Sequence, residues 1–143
     1  MTNRPKSIGT AVETAVVREV LARGWPAQRT ALAGAGDLGD VHAAHGAMVI
    51  ECKGGKAAKS ASWRQLADWW AETEREATRV VACDLAGLVV KRKGSGQAKD
   101  WRAFVRVDEL VWATHNVEIN SPRVVEMPFG GLLSELAAAG WAQ

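Results

Sequence analysis

DVHAAHGAMVIECK, residues 40–53, holds an aspartate and then a short apolar strand that ends in Glu51, Cys52 and Lys53. Side chains of a strand alternate between its two faces, so Glu51 and Lys53 share one face while Cys52 lies on the other. The Cys52 face is wholly apolar, which is typical of a surface turned to the core. The opposite face ends in a carboxylate and an ammonium. Together with Asp40, these groups indicate a site for a hard divalent cation and a phosphate.

The composition predicts one compact domain, residues 1–143. Apolar residues make up 48% of the chain, which is enough for a core, and the formal net charge is only +2. Nucleic-acid binding would therefore depend on local basic clusters. Two cysteines are too few for a disulfide framework and suit a reducing cytoplasm. We see no apolar signal core and no run near the roughly 18 apolar residues of a membrane span, so we expect a soluble, cytoplasmic protein.

Hydrophobic periodicity and turn residues predict alternating helices and strands. Helices are predicted at 7–23, 62–77, 108–114 and 130–140, with Ser7 as the first N-cap and Ser60 or Ser62 as the second. Strands are predicted at 25–32, 47–53, 80–82, 85–91, 101–107 and 123–127, the second of them central and the last on an edge. Loops are predicted at 33–39, 54–59 and 93–99, and residues 72–76 are predicted to be a solvated helix face. This order favours an α/β fold with a central mixed β-sheet flanked by helices.

Glu13 falls inside the apolar arc of the first helix, between Val17 and Val20 on the helical wheel. A carboxylate in that place is costly unless it has a partner. Two interpretations stay open. Glu13 forms a salt bridge or lies at an edge of the apolar face, or it faces the same site as Asp40 and Glu51.

The candidate metal ligands are the carboxylates of Asp40, Glu51 and Glu13, with the backbone oxygen of Cys52 as a further one. Two carboxylates about 4 Å apart repel by about 4 kcal/mol at an effective dielectric constant near 20, and a bound cation removes that repulsion. Because all these ligands are oxygens, they favour Mg²⁺ or Mn²⁺ over zinc. Lys53 stands next to this site, where its charge can hold a phosphate oxygen or orient the attacking water.

Asp37 is a rival to Asp40 for the role of the aspartate ligand. Its spacing to Glu51 is longer. Asp40 leads directly into a strand that starts at Val41, and we therefore prefer Asp40.

The pattern of Glu13, then Gly39-Asp40-Val41, then residues 49–53 resembles the PD-(D/E)xK nuclease superfamily. Within it, the chain is most similar to Holliday junction resolvases of the archaeal type and related phage endonucleases, over residues 7 to about 92. The resemblance implies a restriction-endonuclease-like core in which Asp40 and Glu51 are the metal ligands. It also implies that Lys53 is the catalytic lysine and Glu13 the first-helix glutamate.

Gln65 adds to this resemblance, because some relatives carry a glutamine in the helix that follows the E-x-K strand. Gly39 departs from it, since some members have a proline before the aspartate.

The implied function is a Mg²⁺- or Mn²⁺-dependent endonuclease that hydrolyses phosphodiester bonds in branched DNA as a homodimer, in the host cytoplasm if it is phage-encoded. The alternatives are a restriction-like or recombination nuclease acting on duplex DNA, and a catalytically inactive DNA-binding module of the same fold. A further alternative is an unrelated α/β domain with a Glu-Lys pair at a strand end.

Two basic clusters flank the predicted site and are candidate contacts for the DNA backbone. Their members are Lys56 and Lys59, and Lys91, Arg92, Lys93 and Lys99. A charge run is usually a solvated face. Nothing in the sequence indicates reading of base edges, so we expect recognition of DNA shape.

Histidines and tryptophans near the site have a plainer interpretation. His42 and His45 have the spacing of a zinc pair, but no further ligand pair accompanies them, so loop polarity is preferred. Trp63, Trp69 and Trp70 are interpreted as packing residues, with base stacking or a dimer interface as the alternatives.

Overall fold

The computed structural model describes residues 4–30 and 39–141 of the chain. Within these ranges the helices are α1 (Arg4–Ala22), α2 (Gly55–Lys59), α3 (Trp63–Ala77), α4 (Val107–His115) and α5 (Phe129–Ala138), with a short 3-10 helix at Ala98–Asp100. The strands are β1 (Ala27–Arg29), β2 (Val41–Ala43), β3 (Met48–Lys53), β4 (Leu85–Val90), β5 (Arg102–Arg106) and β6 (Val124–Pro128).

The strands form one six-stranded sheet whose spatial order is the order along the chain. Every neighbouring pair is antiparallel except β3 and β4, which are parallel because the segment with α2 and α3 crosses over between them. The predicted α/β fold with a central mixed sheet and flanking helices is confirmed. The prediction that the strand at 47–53 is central and the last strand lies on an edge is confirmed as well.

The two faces of β3 pack against different helices, as their alternation predicts. Met48 and Ile50 join the main core, which also contains the valine stripe of α1 and the leucines of α5. Val49 lies on the opposite face with Ala77 of α3 and Ala86 of β4. The face that carries Glu51 and Lys53 is therefore the face that α3 covers.

Helix α3 begins as the sequence predicts, and the structure selects its cap. Ser62 Oγ accepts a hydrogen bond from the Gln65 N–H at 3.1 Å, so Ser62 is the N-cap and Ser60 is not. The other proposed cap, Ser7, was wrong, since α1 already begins at Arg4.

Two loop and strand predictions were wrong. Residues 54–59, predicted as a loop, contain α2, in which alanines and lysines with good helix propensity bury Ala58. Residues 80–82, predicted as a strand, form a turn that the hydrogen bond from Cys83 N–H to Val80 O closes at 3.1 Å.

The prediction of a fully solvated face at residues 72–76 was also wrong. Thr73 and Glu76 are only 1% and 4% exposed. They lie one and two helical turns after Trp69, on the side of α3 that packs on the sheet. A glutamate is therefore buried close to the end of β3.

None of the helices in the described ranges combines the length and the apolar composition that crossing a membrane requires.

Candidate metal centre

Gly39 holds Asp40 against the end of β3. Its φ angle is +86°, and a Cβ added there would lie 2.6 Å from Val49 Cγ1, so both the backbone conformation and the space require glycine. The Asp40 N–H donates to Ile50 O at 3.1 Å, and Asp40 Oδ2 accepts from the Cys52 N–H at 2.8 Å. The backbone groups of Ile50 and Cys52, the two neighbours of Glu51 in β3, therefore hold Asp40 beside Glu51.

Asp40, which is half-buried, and Glu51, which is buried, form a close pair of carboxyl groups. The pKa of Asp40 rises to about 8, first because of burial and then because the Glu51 carboxyl lies against it. The pKa of Glu51 also rises to about 8, through burial and then through the neighbouring Glu76. Glu51 is 4% exposed, and its Oε2 receives no hydrogen bond from any donor in the described residues. In the absence of a cation, a bound proton removes the repulsion between the Asp40 and Glu51 carboxyl groups.

Lys53 lies on the same face, between two carboxylates. Its Nζ is 3.4 Å from Glu51 Oε1 and 3.2 Å from Glu72 Oε2, and it stands over the Trp69 ring at 5.8 Å from the centroid. Burial lowers the pKa of Lys53, but the two carboxylates outweigh it and the net shift is upward. The side chain is therefore a firmly held ammonium.

Helix α3 brings Glu72 and Glu76 to the same place, and sequence reasoning missed both. One oxygen each of Glu51, Glu72 and Glu76 lie within 4.8 Å of one another. The available signal was their spacing from Gln65: positions 65, 69, 72 and 76 follow the 4-3-4 pattern of one helical stripe. Gln65 itself lies at the start of that stripe, and its backbone N–H closes the N-cap.

Glu13 lies beside the site but in an ion pair. Arg29 of β1 donates through Nε to Glu13 Oε2 at 2.8 Å and through a terminal nitrogen to Thr10 Oγ1 at 3.4 Å. The charge of Glu13 adds a small upward effect on the pKa of Asp40, after burial and the Glu51 carboxyl. The structure thus shows the salt bridge of the first interpretation, while a role of Glu13 at the site stays a prediction.

Cys52 contributes its backbone rather than its thiol. The side chain packs against the main core, as predicted, and burial raises the thiol pKa well above its ordinary value. In a strand the N–H and C=O of one residue point to the same neighbour. Since the Cys52 N–H binds Asp40, its carbonyl faces the same side and remains a candidate oxygen ligand.

The group of three or more metal-ligating side chains that the described residues bring together is Glu51, Glu72 and Glu76. Neither His42 nor His45 belongs to it, and His42 lies in β2 rather than in a loop. Asp37 lies outside the described residues. The donors at the site are carboxylate and carbonyl oxygens, and this set fits Mg²⁺ or Mn²⁺.

Basic side chains surround the same edge of the sheet. Because β3 and β4 are parallel, their carboxyl ends meet there, and the Lys91 N–H donates to Lys53 O at 2.9 Å. Lys56 and Lys59 follow β3 on α2. The exposed residues of the group are Lys56, Lys59, Arg92, Lys93 and Lys99, while Lys91 is half-buried over the Trp101 ring.

The tryptophans of α3 differ from one another. Trp69 and Trp70 pack against the cluster formed by Leu66, Leu88, Val90 and Phe104, as predicted. Trp63 is 76% exposed, so its interpretation as a packing residue was wrong. It lies near the Arg102 guanidinium, 5.9 Å from the ring centroid.

Comparisons of the chain with family models, with curated proteins and with solved structures find no match.

Proposed function

We propose that the chain is a Mg²⁺- or Mn²⁺-dependent endonuclease that hydrolyses phosphodiester bonds in branched DNA, similar to Holliday junction resolvases. The observation that carries the proposal is the contact of the Asp40 and Glu51 carboxyl groups beside the Lys53 ammonium. A buried and a half-buried acid in contact are unfavourable in a protein that only needs to fold. A divalent cation would offset the repulsion between these acids and could bind the phosphate and the attacking water.

Asp40, Glu51 and the Cys52 carbonyl would hold the cation. When bound, such a cation supplies Lewis-acid activation of water and screens charge on the phosphate. The side chains of the protein position the catalytic groups. Glu51 and Glu72 hold the Lys53 ammonium at the site, where it can bind a non-bridging phosphate oxygen of the substrate.

The basic residues at this edge support DNA as the substrate. They flank the acids on both sides, so a backbone that crosses the site meets Lys56 and Lys59 after β3 and Arg92 and Lys93 after β4. Contacts of this kind position a duplex without reading bases. Recognition of a junction by shape, by two copies of the chain, follows from the family resemblance.

The test is cleavage of a labelled four-way junction with Mg²⁺ by wild type, Glu51→Gln and Lys53→Ala. We expect wild type to cut and both variants to bind the junction but to cut at least about 100-fold more slowly. Glu118→Gln is the control, because Glu118 is an exposed glutamate in the segment between α4 and β6 and contributes no side chain to the site. Full activity in Lys53→Ala would remove the catalytic assignment.

The same assay separates the alternative functions. Faster cutting of linear duplex than of junctions would indicate a restriction-like or recombination nuclease. Binding without cleavage at any divalent metal would indicate an inactive DNA-binding module.

A further inference from the structure

Trp63 presents a large aromatic ring to solvent at the start of α3. The side chain is 76% exposed. It forms one wall of an apolar groove of about 260 Å³ that Leu66, Trp70, Phe104 and Val124 also line. A contiguous apolar surface with polar surroundings is typical of a binding site, whereas single exposed apolar side chains are ordinary. The groove and its ring are therefore a candidate contact for a partner.

The register of the sheet places this ring near the candidate metal centre. Arg102 of β5 pairs with Val90 of β4, and Val90 pairs with Lys53 of β3, so two strand spacings, about 10 Å, separate the two basic residues. The Arg102 guanidinium in turn lies 5.9 Å from the centroid of the Trp63 ring. Successive nucleotides of one strand are about 3.4 Å apart along the axis of duplex DNA. A strand with a phosphate at Lys53 can thus bring a base onto Trp63 within a few nucleotides.

Charge distinguishes Trp63 from Trp112, the other exposed tryptophan of the described residues. Exposed basic side chains flank Trp63, because Lys59 ends α2 and Arg64 follows Trp63 in α3. Trp112 lies instead in a pocket whose other lining residues are mostly acidic: Asp84, Asp108, Glu109 and Glu118, with Ile119. The surroundings of Trp63 attract a polyanion, and those of Trp112 repel one. A nucleic acid strand is therefore the partner that matches the Trp63 groove.

We propose that Trp63 stacks on an unpaired base at the branch point of the DNA, while Lys59 and Arg64 bind phosphates of the same strand. This inference deepens the proposed function and rests on it, because it names the feature of branched DNA that this edge of the sheet recognises. Stacking on an aromatic ring tolerates any base, since every base has a π face. It therefore needs no reading of base edges. A fully paired duplex keeps its bases stacked on one another and offers none to Trp63.

The experiment compares the binding of two DNAs by fluorescence anisotropy in EDTA, which prevents metal-dependent cleavage. One is a splayed-arm duplex with single-stranded thymine arms, and the other is a fully paired duplex of equal length. Trp63→Ala, which should fold because Trp63 is exposed, is expected to lose about tenfold in affinity for the splayed-arm DNA and to keep its affinity for the paired duplex. Trp63→Phe keeps an aromatic ring and should lose less. Trp112→Ala is the matched control and should bind both DNAs as wild type does, because it removes an exposed ring from the acidic pocket.

Stacking also has a spectroscopic signature. The fluorescent base 2-aminopurine loses emission when it stacks on another ring, so we place it in one thymine arm next to the branch point. Saturating wild type and Trp112→Ala should quench it, and saturating Trp63→Ala should not. Equal quenching by Trp63→Ala overturns the proposal.

The outcomes separate this inference from the proposed function. Equal affinity of wild type and Trp63→Ala for the splayed-arm DNA overturns the stacking, and junction cleavage by wild type would still support the nuclease. An equal loss of affinity for both DNAs, with a dimer that dissociates on sedimentation of Trp63→Ala, would make the groove a contact between two copies of the chain and also overturn the stacking. If wild type binds neither DNA nor a four-way junction, both proposals fail.

Discussion

Gly39 contributes to the site through its backbone conformation and its lack of a side chain. It combines a positive φ with contact to Val49 and precedes the aspartate that contacts Glu51. The resemblance indicated a proline at this place in some relatives. The structure explains why glycine stands here instead, since proline fixes φ near −65°.

Gly39→Ala should lower the free energy of unfolding and weaken Mn²⁺ binding. The positive φ costs about 1–2 kcal/mol for alanine, and displacement of Val49 adds to this. Gly24→Ala is the matched control: its φ is +89°, but an added Cβ meets nothing within 4 Å. Urea unfolding and Mn²⁺ titration of both variants measure the effect. Equal losses of stability and unchanged Mn²⁺ affinity in Gly39→Ala would contradict the role assigned to the contact with Val49.

Asp40 and Glu51 make the stability of the metal-free protein depend on pH. Their pKa values rise to about 8 from 3.8 and 4.5, so between about pH 4 and pH 8 the folded chain holds protons that the unfolded chain releases. The free energy of unfolding therefore falls as the pH rises through this window. Urea unfolding in EDTA should show lower stability near pH 8.5 than near pH 5.5, and Asp40→Asn should reduce the difference. Stability that rises with pH in wild type would exclude the shifts.

At the scale of elements, α3 brings Glu72, Glu76 and the Trp69 ring to the site, and a single residue, Ser62, caps its start. Ser62→Ala removes that cap and should destabilise the protein by about 1 kcal/mol. Ser60→Ala is the control, because the Ser60 hydroxyl only donates to Lys56 O at the end of α2, at 3.2 Å. Thermal unfolding of both variants checks this. A larger loss in Ser60→Ala would contradict the assignment of the cap.

Strong local patterns explain which elements could be predicted. The strand β3 alternates cleanly, and α1 repeats valine every fourth residue, so both were found with their buried faces. The helix α2 has only five residues and begins at the second glycine of a Gly-Gly pair. Such a pair indicates a loop, because turn residues outweigh the helix propensity of so few residues.

The residues of the candidate site also differ in how well local sequence patterns predict them. Asp40, Glu51 and Lys53 lie close in sequence and on paired backbone, so period two brings them together. Glu76 is different, because its burial depends on which side of α3 meets the sheet. That orientation is set by long-range packing of Leu66 and Ala77 on β3 and β4, and acidic composition alone indicates solvent.

At the scale of the whole molecule, a group of exposed basic side chains lies at the edge of the sheet that carries the acids. Lys56→Ala/Lys59→Ala should weaken DNA binding and reduce the salt slope of the binding constant by about 1–2 units, as each lost phosphate contact removes about one. Arg123→Ala is the control, because Arg123 precedes β6 at the opposite end of the sheet. Fluorescence anisotropy at several salt concentrations measures both. A steeper loss in Arg123→Ala would place the DNA elsewhere.

The single parallel pairing sets the order in which this centre can assemble. Strands β1, β2 and β3 can pair by short-range contacts, whereas β4 reaches β3 only after residues 54–84 have crossed over. Asp40 and Glu51 therefore keep access to water until α3 docks, and Glu72 and Glu76 arrive with that docking. Divalent metal should accordingly act on the last stage of folding, speeding closure of the crossover while leaving the early hairpins unaffected.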